Sequence, residues 1–263
     1  MTHILTLRHE RIDDIPLILG LAQHIHLEEV LGRHLGTHGL QQGWPNGHLA
    51  VGWLAYILSQ ADHRLSAVRD WANSLPHTLE QFGGLPVREV EFSDDRLGGL
   101  LRRLSHDETW EAIEQELWEA TITVYEVELK GVRLDSTTSY GYHQPTEDGL
   151  MQRGHSKDHR PDLPPLQLMA AAAEPSGHLI ACDVQAGQCA DDPLYTPLIQ
   201  RVRGLLGRQG LRYTGDCKMA ALATRAELAA HHDYYLMPLP HTGENATQIA
   251  TWIDAIVEGT QEA

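Results

Sequence analysis

The sequence predicts an α+β chain in two parts: an all-helical N-terminal domain over residues 1–127 and a mixed β-sheet domain over residues 128–263. Three observations carry this. The first ~125 residues hold apolar stripes at helical spacing. From about Lys130 the texture changes to runs rich in β-branched and aromatic residues, broken by turn residues. After that point the elements run strand, strand, strand, helix, strand, helix, strand. A length of 263 residues suits one or two domains.

In the N-terminal part, Ile15 to Leu35 is apolar with helical spacing and a break near His24 to His26. In Asn46 to Gln60 the residues Ala50, Trp53, Leu54, Ile57 and Leu58 form one stripe, with Asn46 expected as N-cap after Pro45. Ser93 to Leu104 repeats the pattern through Leu97, Leu100, Leu101 and Leu104. Ser105-His106-Asp107-Glu108 reads as a capping box opening a helix that runs to about Tyr125. Trp44, Trp53, Trp71, Trp110 and Trp118 fall mostly on these stripes and are expected in the core.

In the C-terminal part, Gly131–Tyr140 reads as the first strand, followed by a long polar stretch from His143 to Pro165. Leu166–Ala173 and His178–Ala186 read as a hairpin about the turn Glu174-Pro175-Ser176-Gly177. Asp191–Leu206 reads as a helix and Leu211–Asp216 as a short strand ending in an acid. Ala220–His231 reads as a helix, Tyr234–Leu239 as a strand and Gln248–Val257 as a last helix. An antiparallel meander extended by right-handed parallel crossovers gives a five-stranded mixed sheet with flanking helices. That is the element order of the ribonuclease H-like fold.

Composition narrows function. The net charge is −16, with 42% apolar and 21% charged residues, an ordinary globular balance. The acidity argues against a simple electrostatic nucleic-acid binder. Locally the balance reverses: Arg201, Arg203, Arg208, Arg212, Lys218 and Arg225 accompany one acid, Asp216, between residues 200 and 226. No apolar run approaches the ~20 residues of a membrane span, and the N-terminus has no secretory pattern. Cys182, Cys189 and Cys217 form no CxxC, against a disulfide framework or structural zinc and for a reduced cytosolic setting. Cys182 and Cys189 are expected as buried structural thiols.

Two acids stand where chemistry is expected. Asp135 lies inside the first strand, where a carboxylate in a strand core needs a partner. Asp216 ends the fourth strand. Strands one and four are neighbours in this topology, so the two acids should meet, and a hard divalent cation such as Mg²⁺ would relieve their repulsion. Taken singly, either acid reads as well as a turn or helix cap. The loop Gly154-His155-Ser156-Lys157-Asp158-His159-Arg160-Pro161-Asp162 is long enough to suggest function. Its cations could hold phosphates, and its histidines a base edge or phosphate. Zinc at His155 and His159 is disfavoured by Pro161 and the lack of a His-Glu-x-x-His pattern. The other histidines, including His24, His34 and His48, are scattered and suit core or cap roles.

The motifs Val-Arg-Leu-Asp-Ser-Thr-Thr-Ser-Tyr, Gly-His-Ser-Lys-Asp-His-Arg-Pro-Asp-Leu, Asp-Asp-Pro-Leu-Tyr and Tyr-Thr-Gly-Asp-Cys-Lys-Met resemble those of bacterial insertion-sequence transposases of the DDE class. The likeness is to the IS-four-like group in its sixteen-thirty-four branch. The helical part, with Ile-Asp-Asp-Ile-Pro-Leu, Val-Gly-Trp-Leu-Ala-Tyr-Ile-Leu-Ser and Phe-Ser-Asp-Asp-Arg-Leu, resembles the domain that precedes the catalytic domain there. The resemblance implies DNA transposition: cation-dependent strand cleavage, then attack of the freed 3′-hydroxyl on target DNA. Asp135 and Asp216 match the first and second catalytic acids and would hold Mg²⁺ or Mn²⁺. His155, Lys157, His159, Arg160 and Lys218 are the expected DNA contacts. Terminal inverted repeats and target DNA are the expected partners, the expected assembly is a homodimer, and the expected location is the bacterial cytoplasm.

The family's third acid is a Glu in a Tyr-x-x-Arg-x-x-x-Glu motif on a late helix. The sequence contains no such motif, and Glu244 and Glu258 lack its companions. The chain is therefore expected to correspond to the N-terminal half to two-thirds of a transposase and to cleave DNA poorly. A remnant that binds DNA or dimerises without cutting is the alternative. A metal-dependent hydrolase built on the histidine-rich loop is a third reading.

Overall fold

The structure, a computed structural model, describes Leu7 and residues 9–154, 160–239 and 241–260. It divides into two compact units, residues 1–126 and 127–263.

The first unit is helical: α1 (Ile15–His24), α2 (Leu27–Leu35), α3 (Asn46–Gln60), α4 (Leu65–Ser74), α5 (Pro76–Gly83), α6 (Asp94–Leu104) and α7 (Asp107–Tyr125). The break between α1 and α2 falls at His26, whose φ of 55° leaves the right-handed helical region. Helix α3 is the centre of the unit and meets α1, α2, α4 and α6. It buries Leu49, Ala50, Val51, Gly52, Trp53, Ala55 and Tyr56, more than the single stripe expected, because a helix with neighbours on several sides is apolar nearly all round. Gly47 permits the approach of α2: a Cβ there would lie 2.0 Å from the Glu28 carbonyl oxygen.

The loop before α6 is fastened by a buried acid. Glu91 is fully buried, accepts the Trp44 backbone N–H, and pairs with Arg88 at 3.0 Å and Arg96 at 2.8 Å. Arg96 also donates to the Trp44 carbonyl at 2.7 Å, and the Trp44 indole donates to the Leu85 carbonyl at 3.0 Å. Trp44 is thereby held on all its polar atoms while its rings pack near Phe82 and Phe92.

Three local expectations are corrected. Asn46 is the first residue of α3 and caps nothing; its amide group instead bonds Gln41 and the Gly36 carbonyl. Ser105 does not open a capping box, because its hydroxyl turns back to the Arg102 carbonyl at 2.9 Å and closes α6. Trp110 is 40% exposed, on the outer side of α7.

The second unit is built on β1 (Leu129–Tyr140), β2 (Pro165–Pro175), β3 (Leu179–Ala186), β4 (Arg212–Thr214) and β5 (Tyr234–Leu236), with α8 (Tyr195–Leu206), α9 (Leu222–Ala230) and α10 (Gly243–Val257). The five strands form one sheet in the order β3-β2-β1-β4-β5. Strands β1–β3 pair antiparallel, and β4 and β5 add in parallel. This is the ribonuclease H-like mixed sheet, so the fold is α+β with a helical domain ahead of it. Helix α8 packs on β2 and β3 and buries Tyr195, Leu198, Ile199 and Val202. Helix α10 starts earlier than expected and buries none of its residues.

Along β1 the residues alternate. Val132, Leu134 and Ser136 are buried, while Arg133, Asp135 and Thr137 are exposed. Asp135 is therefore not in the strand's core, contrary to expectation: two apolar neighbours do not fix a face, but the period of two does. Cys182 and Cys189 are half-buried and Cys217 is exposed, so none is a fully buried thiol. No helix among the described residues is long and apolar enough to cross a membrane.

The Glu91 cluster yields a prediction. Glu91→Ala removes the acceptor of a buried N–H and leaves the part-buried Arg96 without its carboxylate, which should destabilise the chain by about 3–5 kcal/mol. Urea denaturation monitored by tryptophan fluorescence checks this, and a loss below ~1 kcal/mol would contradict it.

Candidate active site

The candidate site comprises Asp135, midway along β1, and Asp216, just past the carboxyl end of β4. In the parallel register Val132 pairs with Tyr213 and Arg133 with Thr214. β4 ends at Thr214, so Asp216 follows the strand by two residues, and Asp135 follows Arg133 by two on β1; the charges of both acids reach Tyr195. The chain turns away here: Asp216 Oδ1 accepts the backbone N–H groups of Lys218 at 2.9 Å and Met219 at 3.3 Å. Gly215 lets the Met219 side chain pack closely on this turn, since a Cβ would lie 2.6 Å from the Met219 sulfur.

The Tyr195 hydroxyl, from the first turn of α8, donates to the same Asp216 Oδ1 at 2.8 Å. Burial pushes the Tyr195 phenol well above its ordinary pKa. The hydrogen bond to Asp216 and the charges of Asp216, Asp135 and Asp191 push it further. Tyr195 is therefore a neutral donor throughout the ordinary pH range, and its hydroxyl lies within the field of all three acids. Asp191 is held by the Ser136 hydroxyl at 3.2 Å and by the Gln167 side-chain amide. Asp135 Oδ1 accepts its neighbour's N–H in a close local bond, Ser136 N to Oδ1 at 2.8 Å.

Oδ2 of Asp135 and Oδ2 of Asp216 take part in none of these bonds. Two hard oxygen donors on neighbouring strands suit Mg²⁺ or Mn²⁺, which binds through one or two carboxylates and completes its shell with water and substrate phosphates. Among the described residues no group of three His, Cys, Asp or Glu is placed to hold a metal ion.

The expected DNA contacts fare differently. His155, Lys157 and His159 lie outside the described residues. Arg160 is held by Asp162, with Nη2 to Oδ2 at 2.8 Å, and by Tyr142, which raise its pKa. The Lys218 ammonium lies 3.9 Å from Asp192. The basic run is corrected more broadly: Arg201 pairs with Asp183, Arg203 with Asp233 and Glu227, and Arg212 with Glu174. Those acids come from β2, β3, α9 and the turn before β5, so a charge count along one segment overstates its free positive charge. Arg208 and Arg225 remain exposed.

Sequence reasoning did not single out Tyr195, Ser136 and Gln167 as site residues. The available signal was the Asp-Asp-Pro-Leu-Tyr motif, whose Tyr begins the apolar stripe of α8 and so places a polar tip on a buried face.

No protein-family model and no curated protein sequence matches the chain. Among solved structures it is similar to a piggyBac transposase synaptic complex with hairpin DNA, at 11% identity and a TM-score of 0.41, over 92% of this chain and 54% of that one. It is also similar to a Mos1 transposase paired-end complex with left transposon end, at 10% identity and a TM-score of 0.30, over 94% and 90% of the two chains. A Mos1 mariner paired-end complex with Mn matches at 11% identity and a TM-score of 0.28, over 94% and 90%. The chain spans about half the length of the piggyBac chain. The fold assignment stands on strand order and pairing direction rather than on these likenesses.

The two acids should differ in structural weight. Tyr195→Phe removes a bond to a charged acceptor and should destabilise by about 1.5 kcal/mol. Asp135→Asn, on an exposed face, should change stability by less than about 0.5 kcal/mol. Parallel denaturation curves test the contrast, which fails if the order of the two effects is reversed.

Proposed function

We propose that this chain is a DDE-type transposase that cuts and joins DNA by cation-dependent phosphoryl transfer, of the bacterial insertion-sequence group its motifs resemble. Its substrates would be terminal inverted repeats and target DNA, and its working form a homodimer. The observation that supports the reading is that Asp135 on β1 and Asp216 just after β4 both act on the Tyr195 hydroxyl, each with a carboxylate oxygen uncommitted to the hydrogen bonds described above.

In this mechanism Asp135 and Asp216 would hold a divalent cation, a hard ion suited to carboxylate oxygens. When bound, the cation polarises the scissile phosphate and lowers the barrier to attack by water or a 3′-hydroxyl. Tyr195 and the N–H groups of Lys218 and Met219 fix Asp216 by occupying Oδ1, which aims Oδ2 away from the turn. Tyr195 keeps its proton and acts by positioning.

A second reading, DNA binding without cleavage, is favoured by one observation: among the described residues no group of three His, Cys, Asp or Glu is placed to hold a metal ion. Manganese binding followed by electron paramagnetic resonance, alongside nicking of a supercoiled plasmid in Mg²⁺ or Mn²⁺, separates the two. The first reading expects weak Mn²⁺ binding lost in Asp135→Asn and in Asp216→Asn, and nicking reduced on the order of 10³-fold in either. DNA binding with neither Mn²⁺ binding nor nicking would establish the second.

A further inference from the structure

We propose that the exposed sheet face carrying Asp135 holds a second, cation-independent site: a phosphate clamp formed by Arg133 and Arg212 and organised by Glu174, which seats a DNA strand leading to the acids. The proposal rests on the reading that DNA is the substrate, and it adds where the strand lies.

Register places the participants. Arg133 and Asp135 are two apart on β1, and Thr214 is the partner of Arg133 on β4, so Arg212 and Thr214 project on the same side as they do. The antiparallel partners of Arg133 and Asp135 on β2 are Ala172 and Ala170. The face therefore has a floor of small residues, Asp135 at one end and arginines at the other. Arg133 lies ~6.6 Å from Asp135 along the strand, close to the axial rise of two nucleotides at ~3.4 Å each.

At the arginine end is a cavity of about 370 Å³ lined by Lys130, Arg133, Ala172, Glu174, Gly177 and Arg212, among others. Glu174, only 15% exposed, is its anchor. Its Oε1 accepts Arg133 Nε at 3.0 Å and Nη2 at 2.8 Å, and its Oε2 accepts Arg212 Nη2 at 3.0 Å. Burial pushes the Glu174 carboxyl up, but the hydrogen bonds and charges of the two arginines outweigh this and hold it below the ordinary range.

One carboxylate cannot use up two guanidinium groups. Each carries five N–H donors, and the bonds to Glu174 leave Nη1 of Arg133 and both Nε and Nη1 of Arg212 for another acceptor. The arginines are 67% and 49% exposed, and Lys130 beside them is 59% exposed, with Glu128 at 3.2 Å as a surface partner. Three cations against one inner and one outer acid leave a local surplus of positive charge in a chain of net charge −16. Two arginines pre-oriented by a buried carboxylate suit a phosphodiester, whose oxygens accept paired N–H bonds. Gly131 keeps the cavity open: a Cβ there would meet the Arg212 carbonyl oxygen at 2.9 Å and the Arg212 Nε and Glu174 Oε2 atoms at 3.3 Å.

The test is fluorescence anisotropy of the full chain with a labelled DNA duplex in EDTA, over a salt series. The variants are Arg133→Gln/Arg212→Gln and, as an exposed substitution that leaves the buried Glu174 paired, Lys130→Glu. The double variant should bind about tenfold more weakly or worse, with a salt slope smaller by about two. Lys130→Glu should weaken binding several-fold, while Arg64→Gln in the helical unit changes nothing. Circular dichroism melts confirm folding, and Lys130→Glu decides if the double variant is unfolded. Unchanged affinity and slope in the folded variants would overturn the clamp. So would saturable binding of inorganic phosphate that is lost in the double variant while DNA affinity stays intact, since the pocket would then serve small anions. If the unsubstituted chain and Arg64→Gln bind DNA in EDTA and the folded clamp variants do not, the clamp stands even where cleavage is absent.

Discussion

The pairing of β1 with β4 in parallel organises the second unit. A parallel pair needs a crossover, and α8 supplies it by packing Tyr195, Leu198, Ile199 and Val202 into the sheet. Once β4 lies beside β1, the alternation of side chains determines the rest. Val132 and Leu134 go inward with Tyr213, while Arg133 and Asp135 share the outer face with Arg212 and Thr214. A slip of one residue would put the acids into the core and the valine and leucine into water. The hydrophobic core thus sets the register, and the register sets the polar face.

Two buried polar groups convert that register into defined side-chain positions. Tyr195 reaches from the covered side of the sheet to Asp216, and Glu174 reaches from β2 to the arginines of β1 and β4. Each joins elements far apart in the chain, and each is satisfied by more than one bond. Such networks rigidify when fully paired. The result is an exposed sheet face with Asp135 at one end and, at the other, Arg133 and Arg212 joined by Glu174.

In the helical unit the boundaries of α3 and α6 and the break between α1 and α2 were legible, because long apolar stripes report a helix directly. The caps were not. Asn46 and Ser105 have the right chemistry for caps, but their side chains found other backbone partners in the folded unit. Nor was the Glu91 cluster legible. A glutamate between two arginines in an acidic loop looks like a solvated surface group, and only the packing of Trp44 against it makes it a buried anchor.

Helices α4 and α5 of the first unit were not read from the sequence, which by itself determined the order and type of the second unit's elements, the antiparallel and parallel pairing they imply, and the motifs containing Asp135 and Asp216. These are local properties: periodicity, turn chemistry and residues two to ten positions apart. Tertiary structure alone decided which face Asp135 occupies, which arginines keep free donors, and that Tyr195 bonds Asp216. The basic run from Arg201 to Arg225 shows why. Its charge is visible in the sequence, but Asp183, Glu227, Asp233 and Glu174, which neutralise much of it, reach it from elements that the fold brings together. Electrostatic interaction depends on distance through space, and distance along the chain does not report it.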